Sequence, residues 1–173
     1  MSSRLGFIFP GELDDSVSVA TPDAARFVAH GQTVAQFEAG NINGDGLLDY
    51  LLVVEEADAR TLLLLVRQAD GSVRLAGLNR RIIQCHLCEG EGGSFDVTPT
   101  GSGFEVSNTT GAGLVNAGEE FTFEYRSKEK TWVLIEQRSW NNDLTEDPPN
   151  HEELSFKPYE HGQVLRFGGV SGR

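Results

Sequence analysis

Positive charge is scarce in this sequence: 14 Lys and Arg stand against 26 Asp and Glu, for a formal net charge of -12. Phosphate backbones are held by Lys and Arg, so the deficit argues strongly against direct binding of nucleic acid. Long apolar runs are missing too. None approaches the ~20 residues that a spanning helix requires, which predicts no membrane insertion. Neither a P-loop nor a dinucleotide fingerprint is present. Ser94 follows two glycines, yet Gly92-Gly93-Ser94-Phe95 lacks the Gly-x-Ser-x-Gly of a nucleophile elbow, and Gly101-Ser102-Gly103 is a turn. Carboxylates are many but scattered, with no pair placed on facing elements, so paired-carboxylate catalysis has no specific support. No repeat recurs of the kind that propellers and solenoids stack, and no composition shift marks a linker. These absences predict a single domain over residues 1–173 without a catalytic constellation.

What is present is a set of strands. Thr33 to Glu38 alternates; Tyr50 to Glu55 and Thr61 to Gln68 are apolar runs; Asp70-Gly71 is a hairpin signal that sets Val73 to Leu78 antiparallel to the preceding run. Ile82 and Ile83 begin a further short strand. Phe95 to Thr98 and Phe104 to Ser107 follow, and Thr109 to Gly118 is expected as a small-residue connection. In Glu120 to Arg126 the aromatics Phe121, Phe123 and Tyr125 share one face, with Trp132 to Gln137 as hairpin partner. Asn141 to Glu153, with two prolines and five acids, reads as a flexible acidic loop. Leu154 to Phe156 and Val164 to Phe167 close the set. Before all of these, Leu5 to Phe9 forms a short strand, and Thr21-Pro22-Asp23 opens a short helix that continues through Ala29. The fold class is therefore mainly β, an antiparallel sandwich or strongly bent sheet with one short N-terminal helix.

The most specific pattern is Asn41-Ile42-Asn43-Gly44-Asp45-Gly46-Leu47-Leu48-Asp49. Oxygen-bearing side chains at loop positions one, three, five and nine suit a calcium ion, which takes six to eight oxygens. Gly46 provides the curl and Leu47 offers its carbonyl. Leu52 stands where an EF-hand has its Glu, and the loop feeds an apolar run, so a helix-loop-helix site is not expected. The alternative for the same residues is a metal-free Gly-Asn-Asp turn. Asn-x-Asn-Gly-Asp-Gly-x-x-Asp before a hydrophobic strand resembles the calcium loops of FG-GAP and VCBS-type repeats. From Phe37 to Trp132 the chain also resembles bacterial proteins that carry one such loop followed by a strand, a Cys-x-x-Cys and a second strand. The resemblance implies a calcium-stabilised module of the cell envelope, with Asn41, Asn43, Asp45, Leu47 and Asp49 around the ion. Asn41 stands where the usual loop has Asp, which lowers the charge of the site.

Cys85-His86-Leu87-Cys88 admits three readings: half a zinc site, a redox pair, or a structural pair. A structural zinc site takes four ligands, and the sequence contains no second Cys-x-x-Cys. A thioredoxin-like pair opens a helix in a βαβ unit, a context missing here. The structural pair is preferred, thiol or disulfide according to compartment.

Charge then suggests a function. The first sixty residues hold ten acids against three bases, a balance that suits docking to a basic partner with electrostatic steering. The expectation is a non-enzymatic acidic binding module, in bacteria the immunity protein of a secreted toxin, covering the toxin's basic active-site surface. Candidate contacts are Glu12, Asp14 and Asp15, then Glu55, Glu56 and Asp58, then Glu146, Asp147, Glu152 and Glu153, with Trp140 and Tyr159 as aromatic anchors. The start, Met1 to Glu12, does not resemble a signal peptide and favours the cytoplasm; the periplasm or envelope is the alternative if a leader preceded it.

Overall fold

The computed structural model describes residues 21–85, 93–158 and 163–169. Nine strands in two antiparallel sheets occupy them. The first sheet is β1 (Thr33–Gly40), β2 (Asp49–Glu56), β3 (Ala59–Arg67) and β4 (Val73–Asn79). The second is β5 (Ser94–Pro99), β6 (Gly103–Ala112), β7 (Val115–Arg126), β8 (Thr131–Asp143) and β9 (Asn150–Phe156). Neighbours in each sheet are consecutive in the chain, so both are meanders, and their apolar faces meet as a sandwich.

Leu51, Val53, Leu62, Leu64 and Val66 face Val97, Phe104, Val106, Phe121, Phe123, Trp132 and Leu134 across the main core. The expected shared face of Phe121 and Phe123 is therefore buried in this core. Phe104 stacks on Phe123 at 4.9 Å between centroids, and Phe167 meets both edge-on. On the opposite face of the first sheet, Tyr50, Leu52, Val54, Leu63 and Leu65 pack with Ala24, Phe27 and Val28. Burial on both faces is why β2 and β3 read as continuous apolar runs where a half-exposed strand would alternate. The two sheets are also tied at their edges. The Gln36 amide donates to the Val97 carbonyl and accepts from the Val97 N–H, both at 3.1 Å, standing in for a strand residue between β1 and β5.

Several expected elements differ. The helix, α1 (Pro22–Ala25), has four residues, and Thr21 makes no side-chain cap bond. So short a helix gains little from its own hydrogen bonds, and its residues are held by packing Ala24 onto the sheet. Ile82 and Ile83 form a buried turn instead of a strand, because two asparagines satisfy its backbone. Asn79 Oδ1 accepts from the N–H groups of Arg81 and Ile82, while Asn108 donates to the Ile82 carbonyl and accepts from the Gln84 N–H. Thr109 to Gly118 is a hairpin in β6 and β7, turning at Gly111 and Gly113, whose φ values of 74° and 64° favour glycine. The acidic stretch 141–153 belongs largely to β8 and β9, leaving only residues 144–149 between them. Val164 to Phe167 contributes one bridge, Arg166 to Val133, before a 3-10 turn at Phe167–Gly169. Burying the Phe167 ring draws that segment off the sheet. The expected strand at Leu5 to Phe9 lies outside the described residues. No helix among those described is long and apolar enough to cross a membrane.

Candidate functional site

β5 serves as a ruler for the candidate residues. Near its Pro99 end lies the Asn41–Asp49 loop: Gly40 sits against the Pro99 ring, and Trp132 Nε1 donates to the Ile42 carbonyl at 2.6 Å. Near its Ser94 end, Gln84 donates to the Ser94 and Thr109 carbonyls, and Arg60 donates to the Gln84 carbonyl. The two ends differ in chemistry.

The loop is a chain of side-chain-to-backbone turns. Asn41 Oδ1 accepts from Gly44 N at 2.8 Å, Asn43 Oδ1 from Asp45 N at 3.0 Å, and Asp45 Oδ1 from Leu47 N at 2.8 Å. Gly44 and Gly46 take φ of 77° and 83°. Asp49 is turned inward, fully buried, with Oδ2 accepting from Ile42 N and Oδ1 from Arg67 N. Burial pushes its carboxyl above the ordinary value, against the lowering effect of those two N–H groups. The donor set is all oxygen, as a hard cation needs, with two carboxylates and two amides. Among the described residues no group of three or more His, Cys, Asp and Glu side chains is placed to hold a metal.

The other end is an overhang. β7 and β8 have 12 and 13 residues, against seven to nine in the first sheet. No residue of β7 before Phe121, of β8 after Leu134, or of β9 belongs to a core cluster. Val115 to Glu120 alone is about 20 Å of strand at ~3.3 Å per residue. On the outer face, Gly118, Trp140 and Glu153 are cross-strand neighbours in one row. The indole lies over Gly118, where an added Cβ would meet Trp140 Cζ2 at 2.2 Å. Glu120, Arg138, Trp140, His151 and Glu153 line a hollow of about 260 Å³ there. Glu120 is paired with Arg138, whose pKa it raises by charge attraction. On the inner face a second hollow, about 350 Å³, is lined by residues including Arg81, Gln84, Asn108, Glu119, Asn141 and Glu152. Leu114, Val115 and Leu144 are exposed at the tip, where Leu144 N donates to the Leu114 carbonyl.

Of the expected contact residues, Trp140, Glu152 and Glu153 come together on this overhang, and Glu146 and Asp147 lie in its tip turn. Glu55, Glu56 and Asp58 sit at the same end, at the β2–β3 turn. Glu55 is bound by the buried Arg60 at 2.8 Å and Glu56 accepts from Gln32, whereas Asp58 is exposed. Glu12, Asp14, Asp15 and Tyr159 lie outside the described residues. Sequence reasoning passed over Gly118, Glu119, Glu120, Arg138 and His151. No side-chain pattern marked them, since Gly118 ends a small-residue stretch and meets Trp140 only through strand pairing. Cys85 is disulfide-bonded, so its sulfur offers no thiolate to zinc; His86 and Cys88 lie outside the described residues. No family model, no curated protein and no solved structure matches this chain.

Proposed function

We propose that this protein is a non-enzymatic acidic binding module that masks a basic surface on a partner protein, as an immunity protein does for a bacterial toxin. The observation that carries the reading is the overhang, a double-sided stretch of sheet outside both cores. Folding alone gives no reason to extend strands some 20 Å past the last core residue, and exposed apolar side chains rimmed by charge mark contact surfaces. Trp140 is held flat over Gly118 and flanked by carboxylates, the composition of an interface anchor. Residues 136–156 carry six acids and one arginine, which selects a basic surface. The test is affinity capture from the source cells with the wild type and with Trp140→Ala. The reading expects a basic protein retained by the wild type in a salt-sensitive manner and lost with the variant at unchanged melting temperature. Equal retention by both would sink it.

A second reading, the calcium-stabilised envelope module, is favoured by the oxygen-lined curl and by the Cys85 disulfide, which suits an oxidising compartment. Asn41, Asn43, Asp45, the Leu47 carbonyl and Asp49 would hold the ion, which would fix the loop without doing chemistry. Calorimetric titration with calcium checks it. No heat, with melting indifferent to chelator, leaves the metal-free turn.

A further inference from the structure

Among the described residues, β9 is the terminal strand of its sheet and pairs with β8 alone. His151 to Ser155 are exposed throughout, and Leu154 is 70% exposed. The far edge of such a strand presents a row of backbone donors and acceptors ready to template another strand. On its outer face the row Gly118, Trp140, Glu153 ends at a carboxylate, so the next position in that row would favour a cation. Its inner face presents Leu154 between Glu152 and Phe156.

We propose that β9 receives a tenth strand: an extended basic segment of the partner protein adds to this edge through backbone hydrogen bonds. One Lys or Arg lies beside Glu153 on the Trp140 face, and an apolar side chain covers Leu154 on the other. The inference rests on the basic-partner reading above and adds the mode of attachment. Charge selects the occupant. A second copy would bring another six acids against one arginine to the same edge, and the chain's first twenty residues carry three acids against Arg4. Like charges placed opposite one another across strands destabilise the pair, whereas opposite charges stabilise it.

The test uses the intact chain and a heptapeptide alternating Lys with Val, matched to the seven residues of β9. A second peptide of the same sequence carries N-methyl groups on alternate amides, which keeps the charge but blocks the ladder. Binding is followed by calorimetry and by hydrogen exchange of the β9 amides. Strand addition expects protection confined to β9 and its neighbour, roughly tenfold weaker binding after N-methylation, and a similar loss with Glu153→Lys. Equal binding of both peptides, or binding without protection of β9, overturns strand addition while leaving the basic-partner reading intact. Failure of both peptides to bind at low salt overturns the two together.

Discussion

The Asp49 carboxylate closes the loop onto Ile42 and joins it to β3 through the Arg67 N–H, all without contact with water. Asn in its place keeps one acceptor and turns an amide toward the other N–H, so Asp49→Asn should cost roughly 1–3 kcal/mol in denaturant unfolding. The pH dependence has a definite sign. The folded pKa is raised, so the carboxyl's contribution is fully present below its ordinary value and is lost as pH rises through the raised one. The stability gap between wild type and Asp49→Asn should therefore be widest on the acid side and narrow toward neutrality; a gap that widens instead contradicts the buried placement. Gly118 makes an equally local demand. An alanine Cβ there would meet both the indole and the Asn108 carbonyl, at 2.2 and 2.7 Å. Gly118→Ala should destabilise by about 1–3 kcal/mol and shift tryptophan emission, since Trp132 stays buried and only Trp140 is displaced.

Among the elements, the long hairpins carry the contrast between stability and contact. At the root of β6 an alanine Cβ at Gly103 would sit 1.9 Å from the Phe123 carbonyl oxygen. No flexible side chain can yield there, so Gly103→Ala should cost about 3 kcal/mol or more, read as a lower melting temperature. At the other extremity, Leu114 and Leu144 are exposed and lie outside both cores. The double change Leu114→Ser with Leu144→Ser should move stability by no more than about 0.5 kcal/mol and weaken partner capture. Loss of stability there would mean that the tip serves folding. The same contrast explains which elements could be read from the chain. β2, β3 and the second half of β7 are legible because burial writes an apolar pattern into them. The outer halves of β6 to β9 bury little, so Thr109 to Gly118 and Asn141 to Glu153 carry only the compositions of loops. Their strand pairing rests on backbone hydrogen bonds that leave no side-chain pattern. The turn at Ile82 was hidden for another reason: its bonds come from Asn79 and Asn108, the second of them 26 residues away.

At the scale of the molecule, the loop and the overhang occupy opposite ends of the sandwich, and the acids concentrate toward the second. Composition revealed the sign of the charge, and the fold gathers Trp140, Glu152 and Glu153 on the overhang with the Glu55 to Asp58 turn at the same end. Composition could not reveal that the Arg60 ion pair commits Glu55 to the fold, because that contact depends on how β3 packs beside Gln84 and Phe95. Net charge also accelerates encounter with any basic partner, so steering has to be separated from docking. Glu153→Lys and Glu129→Lys make the same change in net charge, one on the overhang in the row of Gly118 and one in the exposed turn past the Arg126 end of β7, about 30 Å away. Long-range steering responds to the summed field and is screened beyond about 8–10 Å at physiological salt. Against the captured partner, both variants should slow association to a similar small extent at low salt, and that difference should vanish as salt rises. Dissociation should accelerate, by about tenfold, only for Glu153→Lys, because only there does a lost carboxylate lie within the contact. Equal dissociation rates for the two variants would place the partner somewhere other than the overhang.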